Sequence, residues 1–259
     1  MTNDVVLALI LTLFAGLAAG IGGLLVLFTK ITNKKFLSFS LGLSAGVMIF
    51  VSLADIFPEA RESLTGVFGD KFGYMAVIIG YFSGIIFIGL LDKITEQKLT
   101  VKTKDTKDPE LMRIGIFTAI ALAIHNFPDG VATFMSTLQE PSIGFAIAVA
   151  VFIHNIPEGI AVAIPIYYAT DNKYRSFLWA LFSGLVEPVG ALLTYLVLMR
   201  FLNTTVLGVV LAVVAGMMVF ISISELLPTA KKYDEGDISI YGFVFGMLIM
   251  AISLLLLGE

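Results

Sequence analysis

Eight apolar runs divide this chain, and each holds the roughly 20 residues needed to cross a hydrocarbon core of about 30 Å. They read as helices over 4–28, 37–58, 73–91, 114–137, 143–169, 176–200, 205–229 and 239–257. Backbone polar groups have no water to pair with in lipid, so a spanning segment must be a helix or part of a closed barrel. A barrel would show short alternating segments instead. The composition agrees: 58% of residues are hydrophobic and only 14% are charged, against about 25% in soluble domains. The mean hydropathy is +0.97. The expected fold is an all-α membrane protein with eight transmembrane helices, and residues 1–259 form a single transmembrane domain. Loops are short except 92–113, "DKITEQKLTVKTKDTKDPELMR", which is polar, lysine-rich and expected to be flexible and cytoplasmic. There is no cysteine, which excludes disulfides and thiolate ligands. The start, "MTNDVVLALILTLFAGLAAG", has no Lys or Arg ahead of the apolar run and reads as the first span rather than a cleaved leader.

Basic residues set the orientation, because they collect on the cytoplasmic side. The odd-numbered loops carry Lys30, Lys34, Lys35, Lys93, Lys98, Lys102, Lys104, Lys107, Arg113, Lys173, Arg175, Lys231 and Lys232, which is 13 of the 16 basic residues. The other side holds Arg61, Lys71 and Arg200. Both termini are therefore expected outside the cytoplasm, in agreement with an even number of spans. The net charge of −4 says little about partners, but nothing resembles a nucleic-acid-binding patch, so no nucleic-acid partner is expected; the partner the chain requires is a lipid bilayer.

The chain repeats itself. "LFAGLAAGIGGLL" at 13–25 resembles "LFSGLVEPVGALL" at 181–193, and "AGVMIFVSLADIFPEA" at 45–60 resembles "AGMMVFISISELLPTA" at 215–230. The offsets are 168 and 170 residues. They pair helix 1 with 6 and helix 2 with 7, while helices 3 and 8 share Gly80/Gly84 and Gly242/Gly246. Paired helices cross in opposite directions, so the expected plan is a 3+2+3 inverted repeat with helices 4 and 5 at the centre. Inverted repeats mark secondary transporters, whose sites lie near the midplane.

The two central helices carry the chemistry. "HNFPDG" at 125–130 and "HNIPEG" at 154–159 each set a histidine and an acid four residues apart, on one helix face. Asn126 and Asn155 stand beside them. Helix 6 adds Glu187 in "VEPVG" at similar depth. Pro128 and Pro157 withhold a donor from the carbonyls of Ile124 and Ile153 and are expected to kink their helices. Gly130 and Gly159 permit close approach. Asp129, Glu158 and Glu187 have no Lys or Arg at their depth, and an ionised acid there costs several kcal/mol, about 3 on insertion scales, unless compensated. A lone membrane histidine is ordinarily an interhelical hydrogen bond; two matched motifs with a third acid argue for a bound cation. Imidazoles with carboxylate and amide oxygens suit Zn²⁺, Fe²⁺, Mn²⁺ or Co²⁺ better than Ca²⁺ or Na⁺. These candidate side chains exceed the needs of one tetrahedral ion, so two ions sharing a carboxylate such as Glu158 is the arrangement they suggest. Met48, Asp55 and Glu225 are candidate pathway residues, Asp55 and Glu225 holding equivalent repeat positions near opposite surfaces. Met218, the repeat mate of Met48, reads as core. Glu59, Glu62 and Asp70 read as a solvated loop.

With "HNFPDG", "HNIPEG", "GLVEPVG" and eight helices, the whole chain resembles the ZIP (Zrt-, Irt-like) metal transporters, and most of all their bacterial ZupT-type zinc-uptake branch. The resemblance implies a binuclear metal site and uptake chiefly of zinc, with iron, manganese, cobalt or cadmium. It also implies a homodimer and movement of helices 1, 4, 5 and 6 as a block. By motif, His125, Asp129, His154 and Glu158 would hold one ion, and Asn126, Asp129, Asn155, Glu158 and Glu187 the other. Two features depart from the family. Asp129 stands where a Glu is usual, which puts its bridging role in question and points to an altered metal preference. Loop 92–113 has no histidine, so metal capture there is not expected.

The reading is import of a divalent metal across the cytoplasmic membrane, without enzymatic activity. No G-x-x-x-x-G-K-[ST] loop is present, which argues against primary pumping. Two alternatives use the same residue types. An intramembrane metal hydrolase would need His and acids at depth, but no H-E-x-x-H occurs. A proton-coupled carrier of an organic solute would use the acids without metal.

Overall fold

The computed structural model describes residues 3–28, 33–98, 106–197, 199, 201, 203–234 and 236–257. Among them there are helices and no strand. Eight spans follow in order: α1 (Asn3–Leu24), α2 (Lys34–Phe68), α3 (Asp70–Lys98), α4 (Pro109–Gln139), α5 (Pro141–Thr170), α6 (Lys173–Leu196), α7 (Thr204–Lys232) and α8 (Ile238–Leu257). All eight are long and apolar enough to cross a membrane. The caps follow local chemistry. Asn33, Asp108, Asn172 and Asn203 each accept backbone N–H bonds at the start of a helix.

Two boundaries differ from the expectations. Glu59 and Glu62, expected in a loop, sit on the helical end of α2. Helix also takes up both ends of the 92–113 segment, since α3 runs to Lys98 and α4 begins at Pro109; residues 99–105 lie outside the described residues. Lys30, Lys102, Lys104 and Arg200 lie outside them as well.

The spans sort into two packed groups. Helices α1, α4, α5 and α6 pack on one another, and in a second group α2 packs on α7, with α3 against α2 and α7 and α8 against α2. The groups meet mainly where α2 lies on α5 and where α7 touches α4. Ser44 of α2 crosses this seam, its hydroxyl donating to the Pro157 carbonyl at 2.6 Å. Burial ranks the spans. The apolar windows of α4 and α5 are both 72% buried, against 22% for α3 and 33% for α8, so the motif helices run through the centre. The outer faces carry Phe72, Ile79, Phe82, Ile86 and Phe87 on α3 and Tyr241, Val244 and Leu248 on α8. An apolar face of that extent suits lipid and not water.

The small residues set how closely the spans approach. Gly80 and Gly84 pack α3 on Ala212 and Val213 of α7, and Gly242 and Gly246 pack α8 on Phe39 and Leu43 of α2. The two ends of the bundle are told apart by their contacts. One gathers Lys107, whose N–H bonds to the Ala169 carbonyl, with Asn33, Tyr168 and Tyr233. The other gathers Glu59, Glu62, Ser136 and Thr204 around shared clefts. They are called here the Lys107 end and the Glu59 end.

One local feature occurs twice. α2 widens to a π-turn over Ser52–Ile56 and α7 over Ser222–Leu226. In each a proline follows two residues on, Pro58 in "SLADIFP" and Pro228 in "SISELLP". Pro58 has no N–H for the Ala54 carbonyl, nor Pro228 for that of Ser224, and each ring would crowd that carbonyl. The wider turn relieves the conflict: Phe57 N–H bonds back to Ser52 and Leu227 N–H to Ser222, five residues away.

Candidate metal site

Helices α4 and α5 lie side by side with their motifs facing. The i, i+4 spacing aims His125 and Asp129 to one side of α4, and His154 and Glu158 to one side of α5. The seven residues that the sequence marks as ligands are all buried: His125, Asn126, Asn155 and Glu187 at 0% exposure, Glu158 at 1%, His154 at 5% and Asp129 at 7%. None turns out to the lipid.

Asp129 joins the two histidines. One of its oxygens, Oδ2, lies 3.3 Å from His125 Nε2 and 3.3 Å from His154 Nε2. His125 Nε2 is also 3.4 Å from Glu158 Oε1. The imidazole centroids are 6.2 Å apart. Ligands bonded to tetrahedral zinc at about 2.0–2.1 Å stand about 3.3 Å from each other along a tetrahedron edge. His125, Asp129 and His154 each offer one donor atom within 4.8 Å of the others, a set fit for a metal. The shorter side chain of Asp129 reaches both histidines all the same.

The asparagines tie the site to the flanking helices. Asn126 Nδ2 donates to the Ser183 carbonyl of α6 and Asn155 Nδ2 to the Ala15 carbonyl of α1, both at 3.0 Å. Asn155 also donates to Glu187 Oε1. Gly130 and Gly159 are needed for backbone contact: a Cβ at Gly130 would strike the Glu187 carbonyl, and one at Gly159 that of Ala19. α4 and α5 stay helical through Pro128 and Pro157, while α6 breaks at Leu185, just ahead of Glu187 and Pro188. The break sets Glu187 in the first turn of a new helix, where the helix dipole favours an acid.

The donors outnumber their protein partners. Both Glu158 oxygens, Glu187 Oε2, Asn126 Oδ1, Asn155 Oδ1 and the Nδ1 atoms of both histidines are buried without a hydrogen-bond partner. Each such group costs about 1–3 kcal/mol, and their concentration at one place calls for a ligand. Among the described residues, Asp129 and Glu158 have histidines and no Lys or Arg as ion-pair partners.

The candidate pathway residues fall in three different settings. Met48 is fully buried in the apolar core, as is Met218. Asp55 lines a small cleft with Asp129 and His154. Glu225 lies 3.3 Å from Arg113, which also pairs with Asp92 at 2.8 Å. Sequence reading missed three participants. Glu59 lines the same cleft as Asp55; its signal was the i, i+4 spacing from Asp55 on one helix. Arg113 read as one more loop cation, yet it is 19% exposed and inside α4. Ser44 left no signal, since only packing brings it to Pro157.

Known proteins resemble the chain across nearly its whole length. The profile of the ZIP zinc transporter family matches residues 96–254. The chain is 55% identical to the zinc transporter ZupT of Oceanobacillus iheyensis, covering 99% of this chain and 100% of that protein. It is 53% identical to ZupT of Lysinibacillus sphaericus over 99% and 100% of the two chains. With ZupT of Clostridium perfringens it shares 50% identity over 98% and 97%. On the family profile and on identity across nearly its whole length, the chain belongs to the ZIP zinc transporter family.

Proposed function

We propose that this protein carries zinc across the membrane through the buried site between α4 and α5. The observation that carries the reading is the convergence of His125, Asp129 and His154 at zinc-ligand separations, amid oxygens without partners and, among the described residues, with no Lys or Arg paired to Asp129. The zinc transporters at 50–55% identity support the same cargo, and the ZIP family is one of transporters, not enzymes. Nothing in those relatives favours a carrier of organic solutes.

The finer reading is a binuclear site. His125, Asp129, His154 and Glu158 hold one ion. Asn126, Asn155 and Glu187 hold the other, with Glu158 and Asp129 bridging. Unpartnered oxygens on both asparagines, Glu158 and Glu187 support it. Fe²⁺, Mn²⁺, Co²⁺ and Cd²⁺ share the donor preference and are expected as further cargo.

The architecture behind this is a 3+2+3 inverted repeat. Its support lies in contacts that come in matched pairs. Asn126 bonds Ser183 where Asn155 bonds Ala15, and 183 and 15 are 168 residues apart. Gly130 packs on Glu187 where Gly159 packs on Ala19, again 168 apart. α3 packs on α7 as α8 packs on α2, and both π-turns recur at an offset of 170. The block of α1, α4, α5 and α6 then moves against the other four spans. The Lys107 end, rich in Lys and Arg, faces the cytoplasm and both termini face outside. A membrane potential of 100 mV, inside negative, favours inward movement of a divalent cation by about 4.6 kcal/mol. All 259 residues act as one transmembrane unit, 92–113 serve as its cytoplasmic connection, and two copies form a homodimer. Met48, Asp55 and Glu225 lie along the route.

Reconstituted protein in vesicles should take up zinc from the outside, and His154→Ala with Glu158→Ala should abolish uptake and stoichiometric zinc binding. Undiminished uptake in that variant would sink the reading.

A further inference from the structure

We propose that Asp55 forms, with Asp129 and His154, a holding site for the incoming divalent cation, in which the ion bridges the two helix groups. This rests on the metal-transport reading above and adds a separate site to it. The cleft is about 60 Å³ in volume. One water needs about 10–15 Å³ of such space, so a cation with part of its water shell fits. Its polar lining is Asp55, Glu59, Asp129 and His154; the remainder is Ile56, Leu211 and small or apolar residues of α4 and α5, with no Lys or Arg among the described residues. Two buried carboxylate and imidazole donors, Asp129 and His154, face an acid of another helix across this space. Such donors select a borderline transition-metal ion.

The cleft lies in the seam. Asp55 and Glu59 belong to α2, Asp129 to α4 and His154 to α5. An ion held by Asp55, Asp129 and His154 therefore ties α2 to the opposite group. Asp129 and His154 are also members of the deeper set with His125 and Glu158. The ion passes inward by releasing Asp55 and gaining His125 and Glu158, while Asp129 and His154 stay bound. No step needs a bare cation, and the groups are untied only once the ion has left Asp55.

The absence of native cysteine makes the test direct. In reconstituted Asp55→Cys, Cd²⁺ is expected to protect the thiol from a membrane-impermeant maleimide. Adding His154→Ala or Asp129→Ala should abolish that protection. Equal protection with and without His154 and Asp129 would overturn the proposal, because Asp55 would then capture metal without them. In parallel, Asp55→Asn should raise KM for zinc uptake about tenfold with kcat largely kept, and Asp55→Glu should restore it. An unchanged KM in Asp55→Asn would equally overturn it. Absence of zinc uptake by the unaltered protein would sink the transport reading instead, whereas thiol protection reads binding at Asp55 alone.

Discussion

Asp55 and Glu225 hold the same place in two matching π-turns, yet their surroundings differ. Around Asp55 the cleft offers Asp129, His154 and Glu59 and, among the described residues, no Lys or Arg. Beside Glu225 stands Arg113, held on its other side by Asp92. One acid thus faces a space that a metal cation suits, while the other already has a guanidinium. The difference teaches that repeated sequence sets where the acids lie, while the charge state of the neighbourhood is decided by which helix end happens to pack there. Here that is the first turns of α4, which carry Arg113 to Glu225.

The comparison can be broken most severely by making the two sites alike. Asp55→Arg places a fixed cation in the cleft, as Arg113 does near Glu225, and should reduce zinc uptake by at least about a hundredfold, the effect of losing roughly 2.7 kcal/mol of binding. Uptake by vesicles measures it, and near-normal rates would show that the cleft is not on the route. Arg113→Gln works from the other side. It removes the guanidinium that Asp92 and Glu225 share and should cost about 3 kcal/mol of stability, read as a lower unfolding temperature in detergent. Pairing it with Glu225→Gln should recover part of that loss; a strictly additive double variant would deny the coupling. Asp129→Glu tests the acid that serves both metal sets. The added methylene should change the ratio of zinc to cadmium uptake a few-fold, about 1 kcal/mol in relative barrier, and an unchanged ratio would remove Asp129 from selectivity. The smallest effect belongs to Lys107 and Asp171, an ion pair at 2.8 Å with both side chains about half exposed. Lys107→Ala should alter stability by no more than about 0.5 kcal/mol, which separates the Arg113 cluster from ordinary surface pairing at the same end.

Much of the molecule was legible in its residues. Hydropathy located eight spans because lipid forces each segment to satisfy its own backbone, which leaves few alternatives to a helix. The duplicated His-Asn-x-Pro-acid-Gly motif located the donors, since i, i+4 spacing fixes which side chains share a face before any packing occurs. Cap residues and the two Ser-x-x-acid-x-x-Pro stretches likewise act through their own backbone. What those stretches do locally was not anticipated, because a proline in a helix admits a kink, a break or a widened turn. α4 and α5 run unbroken through Pro128 and Pro157, α6 took the break, and α2 and α7 took the wide turn.

Only the tertiary structure decided what stands across from each donor. It joined Asp129 to both histidines, closed Asn155 onto Glu187, brought Ser44 to Pro157, and opened the cleft between Asp55 and His154. It also moved Arg113 from a supposed loop into an ion pair with acids of α3 and α7. The physical reason is one of range. Helix formation and side-chain period depend on neighbours within one or two turns, which a linear reading contains. Contacts between spans depend on the rotation and depth at which packed surfaces of small residues come to rest, and those are fixed only when all eight helices press together.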